Sequence, residues 1–276
     1  MKNNTPQLWD NVWKINPPEH DKFYLAREAQ SVRWRKIKQR VLASYGTFEN
    51  RKAIEIGAGA GTYAALMARE GAKVSILDYS EKALEKARIF FERNGVNAEY
   101  ILQDALNLPP EMHSQYDVSM SFGLTEHFLG QNRMAINRAH LDLLKSGGIT
   151  FISVPNKNNL PYRLYMFLAQ RTGKWLVGEE YPYSRKELLL VCRNMGGADC
   201  QVFGESLYQS NYFLGLLNPF RLFAKFVLKK KENEQEGLYD ISRIKPEKST
   251  CFDDYLSYAL VLCCRKSSEP AAPKNG

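Results

Sequence analysis

The chain has no run of about 18 apolar residues, so no segment of it is expected to cross a bilayer as a helix. Residues 1–18 are polar and proline-bearing and lack the apolar core of a secretory leader, so no export signal is expected there. Cysteine is sparse: Cys192, Cys200, Cys251, Cys263 and Cys264 are the five in 276 residues, all late and none in a CxxC pair. The count is odd and the positions lie late in the chain, and a metal or catalytic role is the alternative to plain buried thiols. Buried thiols in a reducing, cytoplasmic compartment are the expectation. Histidine is sparser still, at four residues: His20, His113, His127 and His140. Any imidazole chemistry must come from one of these.

What is present is a large apolar fraction, 44%, enough for one α/β domain with helical additions. Lysine and arginine exceed aspartate and glutamate by 38 to 30, a net charge of +8 that suits anionic partners. Part of that excess is local, in Lys225 and Lys229 to Lys231.

Residues 21–45 read as one helix, with Phe23, Ala26, Ala29, Val32, Ile37, Val41 and Leu42 as its apolar stripe. Arg27, Arg33, Arg35, Lys36, Lys38 and Arg40 decorate the rest. Strand and helix then alternate: strands at 52–56, 73–77, 99–103, 116–121 and 149–154, helices at 62–69, 81–94 and 133–144. Ser80 is placed to cap the second of these helices and Gly95 to stop it. A helix at 184–195, capped by Ser184, and strands at 199–203 and 255–264 complete the pattern. Such alternation predicts a Rossmann-like, seven-stranded, mostly parallel sheet with helices on both faces. The domain reading is an N-terminal helical cap at 1–50, a core at 51–265 with insertions at about 156–183 and 209–254, and a polar tail at 266–276.

The run Glu55-Ile-Gly57-Ala58-Gly59-Ala-Gly61 follows the first strand and opens the first core helix. A glycine turn there lets backbone approach a nucleotide-like cofactor closely. Thr62 stands where a dinucleotide fingerprint has its third glycine, which argues against nicotinamide or flavin. Glu55 would repel a diphosphate and welcome an ammonium group. Asp78 ends the second strand, where an acid can accept from ribose hydroxyls.

These residues resemble the class I S-adenosylmethionine-dependent methyltransferases, in the small-molecule branch that includes ubiquinone-biosynthesis enzymes of the type 11 kind. The resemblance covers 52–154, with a weaker continuation to 264. It implies S-adenosyl-L-methionine as the cofactor. The Glu55, Gly57, Ala58, Gly59, Gly61 turn would pack on its methionine part, and Asp78 would hold its ribose. Tyr79 would flank the adenine, Asp104 would accept from the adenine amino group, and Ala105 would offer its amide. Phe122 and Gly123, in the motif running from Tyr116 to Phe128, would complete the site.

The resemblance implies methyl transfer to an O or N atom of a small, aromatic or apolar metabolite. His127, just after the fourth strand, is the candidate general base. The alternative is that His127 orders the loop after the fourth strand. Glu126 and His127 could instead be two ligands of a divalent metal, but no third is evident in the sequence, so no metal is expected.

The substrate face should draw on Trp9, Trp13, Phe23, Tyr24, Asn156, Tyr162, Arg163, Tyr165, Phe167, Trp175, Tyr181 and Tyr183. Those rings could equally be the core of a helical subdomain. Tyr24 or Tyr63 could close over the cofactor. Residues 212–231 could form an amphipathic helix that acts as a lid, a subunit contact or a peripheral membrane contact. Oligomeric state is left open. The competing functions are a nucleic-acid methyltransferase, a protein methyltransferase and a non-catalytic cofactor-binding scaffold. The first is disfavoured because Ser121-Phe-Gly-Leu stands where an Asn-Pro-Pro-Tyr motif would be.

Overall fold

The computed structural model describes residues 5, 9, 20–175, 177–210 and 239–267. Trp13 and the 212–231 segment lie outside the described residues. Seven strands form one sheet: β1 (Lys52–Ile56), β2 (Lys73–Asp78), β3 (Glu99–Leu102), β4 (Tyr116–Phe122), β5 (Leu144–Pro155), β6 (Gly197–Gly204) and β7 (Ala259–Lys266). Their order is β3-β2-β1-β4-β5-β7-β6. The first five pair in parallel, and β7 runs antiparallel between β5 and β6. The predicted seven-stranded, mostly parallel sheet is therefore present.

Alternation along each strand sorts side chains to two faces. Ala53 joins the apolar cluster on one face while Ile54 and Ile56 join that on the other. The first face carries α2 (Val32–Tyr45), α3 (Thr62–Arg69) and α4 (Glu81–Arg93), through Ile37, Met67 and Phe91. The second carries α5 (Gly130–Leu143) and α7 (Arg185–Asn194), through Leu141 and Leu188. With both faces covered, the central strands have no solvent side, which is why they read as apolar runs.

Three boundaries differ from the sequence reading. The N-terminal helix is two, α1 (Asp21–Ala29) and α2, because Ser31 adopts an extended backbone and its side chain accepts from the Trp34 amide at 3.0 Å. A serine cap starts a new helix where periodicity alone ran straight through. Trp34 is buried in consequence, while Leu42 is exposed. Next, β5 begins at Leu144 rather than 149, with a register shift against β4 accommodating Gly147. Lastly, β7 begins at Ala259, since residues 253–256 form a short helix, α8 (Asp253–Leu256). Predicted caps at Ser80 and Ser184 accept from Ala83 and Glu187 amides.

Cys192 and Cys200 form a disulfide joining α7 to β6, so the expectation of thiols throughout is corrected. The spacing gave no sign of it, because the strand turns back on the helix and brings the two together. Cys251, Cys263 and Cys264 are free. No helix among the described residues is long and apolar enough to cross a membrane.

His140 is fully buried, its Nδ1 donating to the Ile136 carbonyl and its Nε2 accepting from the Ser121 hydroxyl, each at 2.9 Å. Burial lowers its pKa from 6.5 to about 4. Between those values the unfolded chain holds more protons, so stability present above pH 6.5 drains away as pH falls towards 4. We expect His140→Gln to flatten the acid limb of a thermal-midpoint profile. An unchanged limb would show that His140 does not set it.

Candidate active site

The sheet reverses direction of growth between β1 and β4, and a crevice opens there at the carboxyl ends of the strands. Gly57 and Gly61 hold left-handed backbone at φ +60° and +69°. A Cβ on Gly57 would stand 2.6 Å from Leu124 Cδ1, and one on Gly61 2.7 Å from Ile76 Cδ1. Both positions therefore need glycine twice over, for conformation and for space. Glu55 is buried beneath the turn, and its Oε2 accepts from the Ala64 amide at 2.6 Å. It thereby fixes the first turn of α3 to the end of β1. Burial pushes its pKa up to about 8.

Two small adjoining cavities, of about 100 and 120 Å³, share Gly57, Asp78, Tyr79, Leu124 and Phe128. The first adds Ala58, Phe122, Gly123 and His127; the second adds Asp104 and Ala105. Asp78 is buried at the end of β2, with Oδ1 accepting from the Ser80 amide at 3.0 Å. Asp104 is turned into its own loop, accepting from the Leu106 amide and the Asn107 side chain. The structure thus brings Gly57, Ala58, Asp78, Tyr79, Asp104, Ala105, Phe122, Gly123 and His127 to one cleft.

Through Ala58, Phe122 and Gly123 the cleft adjoins a larger cavity of about 500 Å³. Glu55 and Glu126 line it, as do Tyr24, Glu28, Arg33, Tyr63, Ser153 and Tyr258. Tyr63 stacks on Phe122 with centroids 3.8 Å apart, and its hydroxyl donates to Glu28 at 2.8 Å.

Of the aromatic residues expected on the substrate face, Tyr24 lines this cavity. Tyr162 and Tyr183 are instead buried. Tyr162 and Tyr165 pack on Trp175 beside α6 (Leu160–Arg171). Asn156 is spent on the Tyr255 and Ser257 carbonyls, at 3.0 Å each. Those side chains mostly build their own small core, because α6 has too narrow a buried face to be covered otherwise.

His127 Nδ1 donates to the Glu179 carbonyl at 2.9 Å, and Trp9 packs edge-on against the ring at 4.9 Å between centroids. With Nδ1 committed, the lone pair sits on Nε2. Burial lowers the pKa to about 4, so the ring is neutral at physiological pH. Glu126 is buried, with Oε2 making no hydrogen bond among the described residues. Desolvation, reinforced by Glu180, raises its pKa well above the ordinary value.

Glu180 bonds the Tyr162 hydroxyl, and burial raises its pKa to about 7. One ligand atom from each of Glu126, His127 and Glu180 lies within 4.8 Å of the others. The third ligand missing from the sequence reading is thus supplied by Glu180, from the loop after α6. No local motif announces it, since only tertiary contact brings that loop to the end of β4. The three residues line three different cavities, so the cluster stands where they meet.

A methyltransferase-domain family model matches residues 53–148. The chain is 34% identical over 113 residues to a ubiquinone biosynthesis O-methyltransferase of Bordetella avium, covering 41% of this chain and 46% of that one. It is 34% identical over 141 residues to the Yersinia pestis protein of the same name, covering 50% and 52%. The chain therefore spans about half the length of the curated relatives it matches. Among solved structures, magnesium protoporphyrin IX methyltransferase from Synechocystis PCC 6803 is similar at TM-score 0.50 and 15% identity, covering 85% of this chain and 83% of that one. The structure described as "Conversion of a Disulfide Bond into a Thioacetal Group during Echinomycin Biosynthesis" is similar at TM-score 0.59 and 15% identity, covering 96% and 94%. At such identities the likeness is one of fold.

Over residues 53–148 the chain is similar to methyltransferase domains, and over about half of their length to ubiquinone biosynthesis O-methyltransferases. The cofactor this likeness implies is S-adenosyl-L-methionine. The residues present fit that group. A buried acid ends β2, a turn that tolerates no Cβ runs beside it, and a larger cavity adjoins the cleft.

Proposed function

We propose that this protein transfers a methyl group from S-adenosyl-L-methionine to an O or N atom of a small metabolite with a flat or apolar body. The carrying observation is the sharing of Ala58, Phe122 and Gly123 between the cleft and the 500 Å³ cavity, which gives cofactor and acceptor a common wall. Asp78 accepts from the ribose hydroxyls, and the Gly57–Gly61 turn follows the methionine part. Tyr79, Asp104 and Ala105 bound the adenine. Glu55 holds the turn in place. When bound, the cofactor supplies an electrophilic methyl on a sulfonium, and the protein's remaining task is alignment and exclusion of water.

Where the acceptor is a hydroxyl or a protonated amine, its proton must leave. Glu126 reaches the acceptor cavity, and a ring nitrogen of His127 lies within 4.8 Å of one of its carboxylate oxygens. A carboxyl group that is neutral in the resting site can receive a proton on one oxygen and release its own from the other. On this reading Glu126 relays the proton that the acceptor sheds as the methyl group arrives, and His127, too weak a base to take it beforehand, receives it then. We expect His127→Gln to lower kcat by about a hundredfold with little change in acceptor KM. A change confined to KM, or none, would reduce His127 to ordering its loop.

The juxtaposition of Glu180 with Glu126 and His127 favours a second reading, in which the cluster holds a divalent cation that orients the acceptor oxygen. We expect turnover to persist in chelator. Loss of turnover in EDTA, restored by magnesium, would replace the proton relay with this reading. A cytoplasmic site of action is part of this reading, and the Cys192–Cys200 bond points the other way.

A further inference from the structure

Arg33 is one of six basic residues that the sequence presents as decoration of the N-terminal helix, yet it points inward and lines the 500 Å³ cavity. Its Nη1 donates to Ser153 Oγ at 3.0 Å, and its Nη2 pairs with Glu205 Oε2 at 2.8 Å. The guanidinium carbon lies 5.2 Å from the centroid of the Tyr63 ring and 5.7 Å from that of Phe122. Supports from β5, from the residue after β6, from α3 and from β4 therefore converge on one side chain. Glu205, only 3% exposed, balances the charge that burial would otherwise penalise.

Each terminal guanidinium nitrogen carries two hydrogens, and one on each is spent in these bonds. The Ser153 oxygen accepts from Arg33, which leaves its own hydrogen to give. Arg33 keeps 19% of its side chain exposed at the cavity wall. Two nearby acids already accept hydrogen bonds, Glu28 from Tyr63 and Glu55 from the Ala64 amide, while their charges also act on Arg33. A rigid pair of donors beside a stacked aromatic wall is an arrangement that takes a carboxylate on a flat body.

We propose that Arg33 and Ser153 anchor a carboxylate of the methyl acceptor, whose body lies against Tyr63 and Phe122, so that the substrate is a carboxylic acid. This rests on the methyl-transfer reading above. The test uses 4-hydroxybenzoate and its uncharged counterpart 4-hydroxybenzamide, titrated calorimetrically into protein saturated with S-adenosylhomocysteine. Wild type should prefer the acid by about tenfold or more, the advantage of a charge-assisted pair. Arg33→Met should erase the preference, Arg33→Lys should restore part of it, and Ser153→Ala should reduce it. Retained S-adenosylhomocysteine binding identifies the variants that fold.

Equal affinity of wild type for acid and amide would overturn the proposal, as would a preference that survives Arg33→Met. Absence of acid binding up to about 10 mM would count against it equally. Failure of wild type to bind S-adenosylhomocysteine would remove the underlying reading, and this one with it.

Discussion

Asp78→Ala will weaken S-adenosylhomocysteine binding by about a hundredfold, with the fold retained. The carboxylate is buried at the end of β2 and borders both small cavities. Two hydrogen bonds from ribose hydroxyls to a charged acceptor are together worth about 3 kcal/mol, which is two orders of magnitude in Kd. One Asp78 oxygen also accepts from the Ser80 amide, beside the cap of α4, so the alanine variant loosens that turn as well. Asp78→Asn separates the effects, because its amide oxygen can still accept from Ser80 while the charge is gone. We expect about a tenfold loss for asparagine, at a thermal midpoint close to wild type. Calorimetric titration of the three proteins decides it. Undiminished affinity in Asp78→Ala would remove Asp78 from the cofactor site.

Gly204→Ala will be the most destabilising of the glycine substitutions. A Cβ there would fall 1.8 Å from the Asp253 carbonyl oxygen and 2.5 Å from Ser257 Oγ. Neither neighbour can readily yield. The Asp253 carboxylate is held by the Leu207 amide and by Ser249 and Thr250. Gly204 itself donates to Asp254 and accepts from Lys36. The backbone must part by more than an ångström, which costs about 3 kcal/mol. At this chain length the midpoint should fall by about 6–12 °C. Gly95→Ala is the contrast: its Cβ would meet nothing, and only left-handed strain is added, about 1–2 kcal/mol. Equal midpoints for the two variants would show that α8 can move away from β6. Because Gly204 precedes Glu205, the same variant should also disturb the partner of Arg33.

The core of the fold was legible because it depends on local signals that agree with one another. The glycine turn after β1, the acid ending β2 and the serine caps of α4 and α7 each satisfy a short-range requirement of backbone geometry or hydrogen bonding. The break between α1 and α2 was less legible, since Ser31 lies within a helical apolar period and its capping bond prevailed over that pattern.

By itself the sequence determined the succession of strands and helices along the chain and named the residues that the structure gathers at the carboxyl ends of β1, β2 and β4, because all of these sit within a few residues of a strand end. Tertiary structure alone decided the rest. It inserted β7 antiparallel between β5 and β6, joined Cys192 to Cys200, and carried Glu180 to Glu126 and His127. It also turned Arg33 from one of a helix's basic residues into a wall of the 500 Å³ cavity. Each of these pairings links residues on different elements, and no local backbone preference encodes which distant side chain will be the partner. That choice belongs to the packing of α2, the loop after α6 and the strand β7 over the carboxyl edge of the sheet.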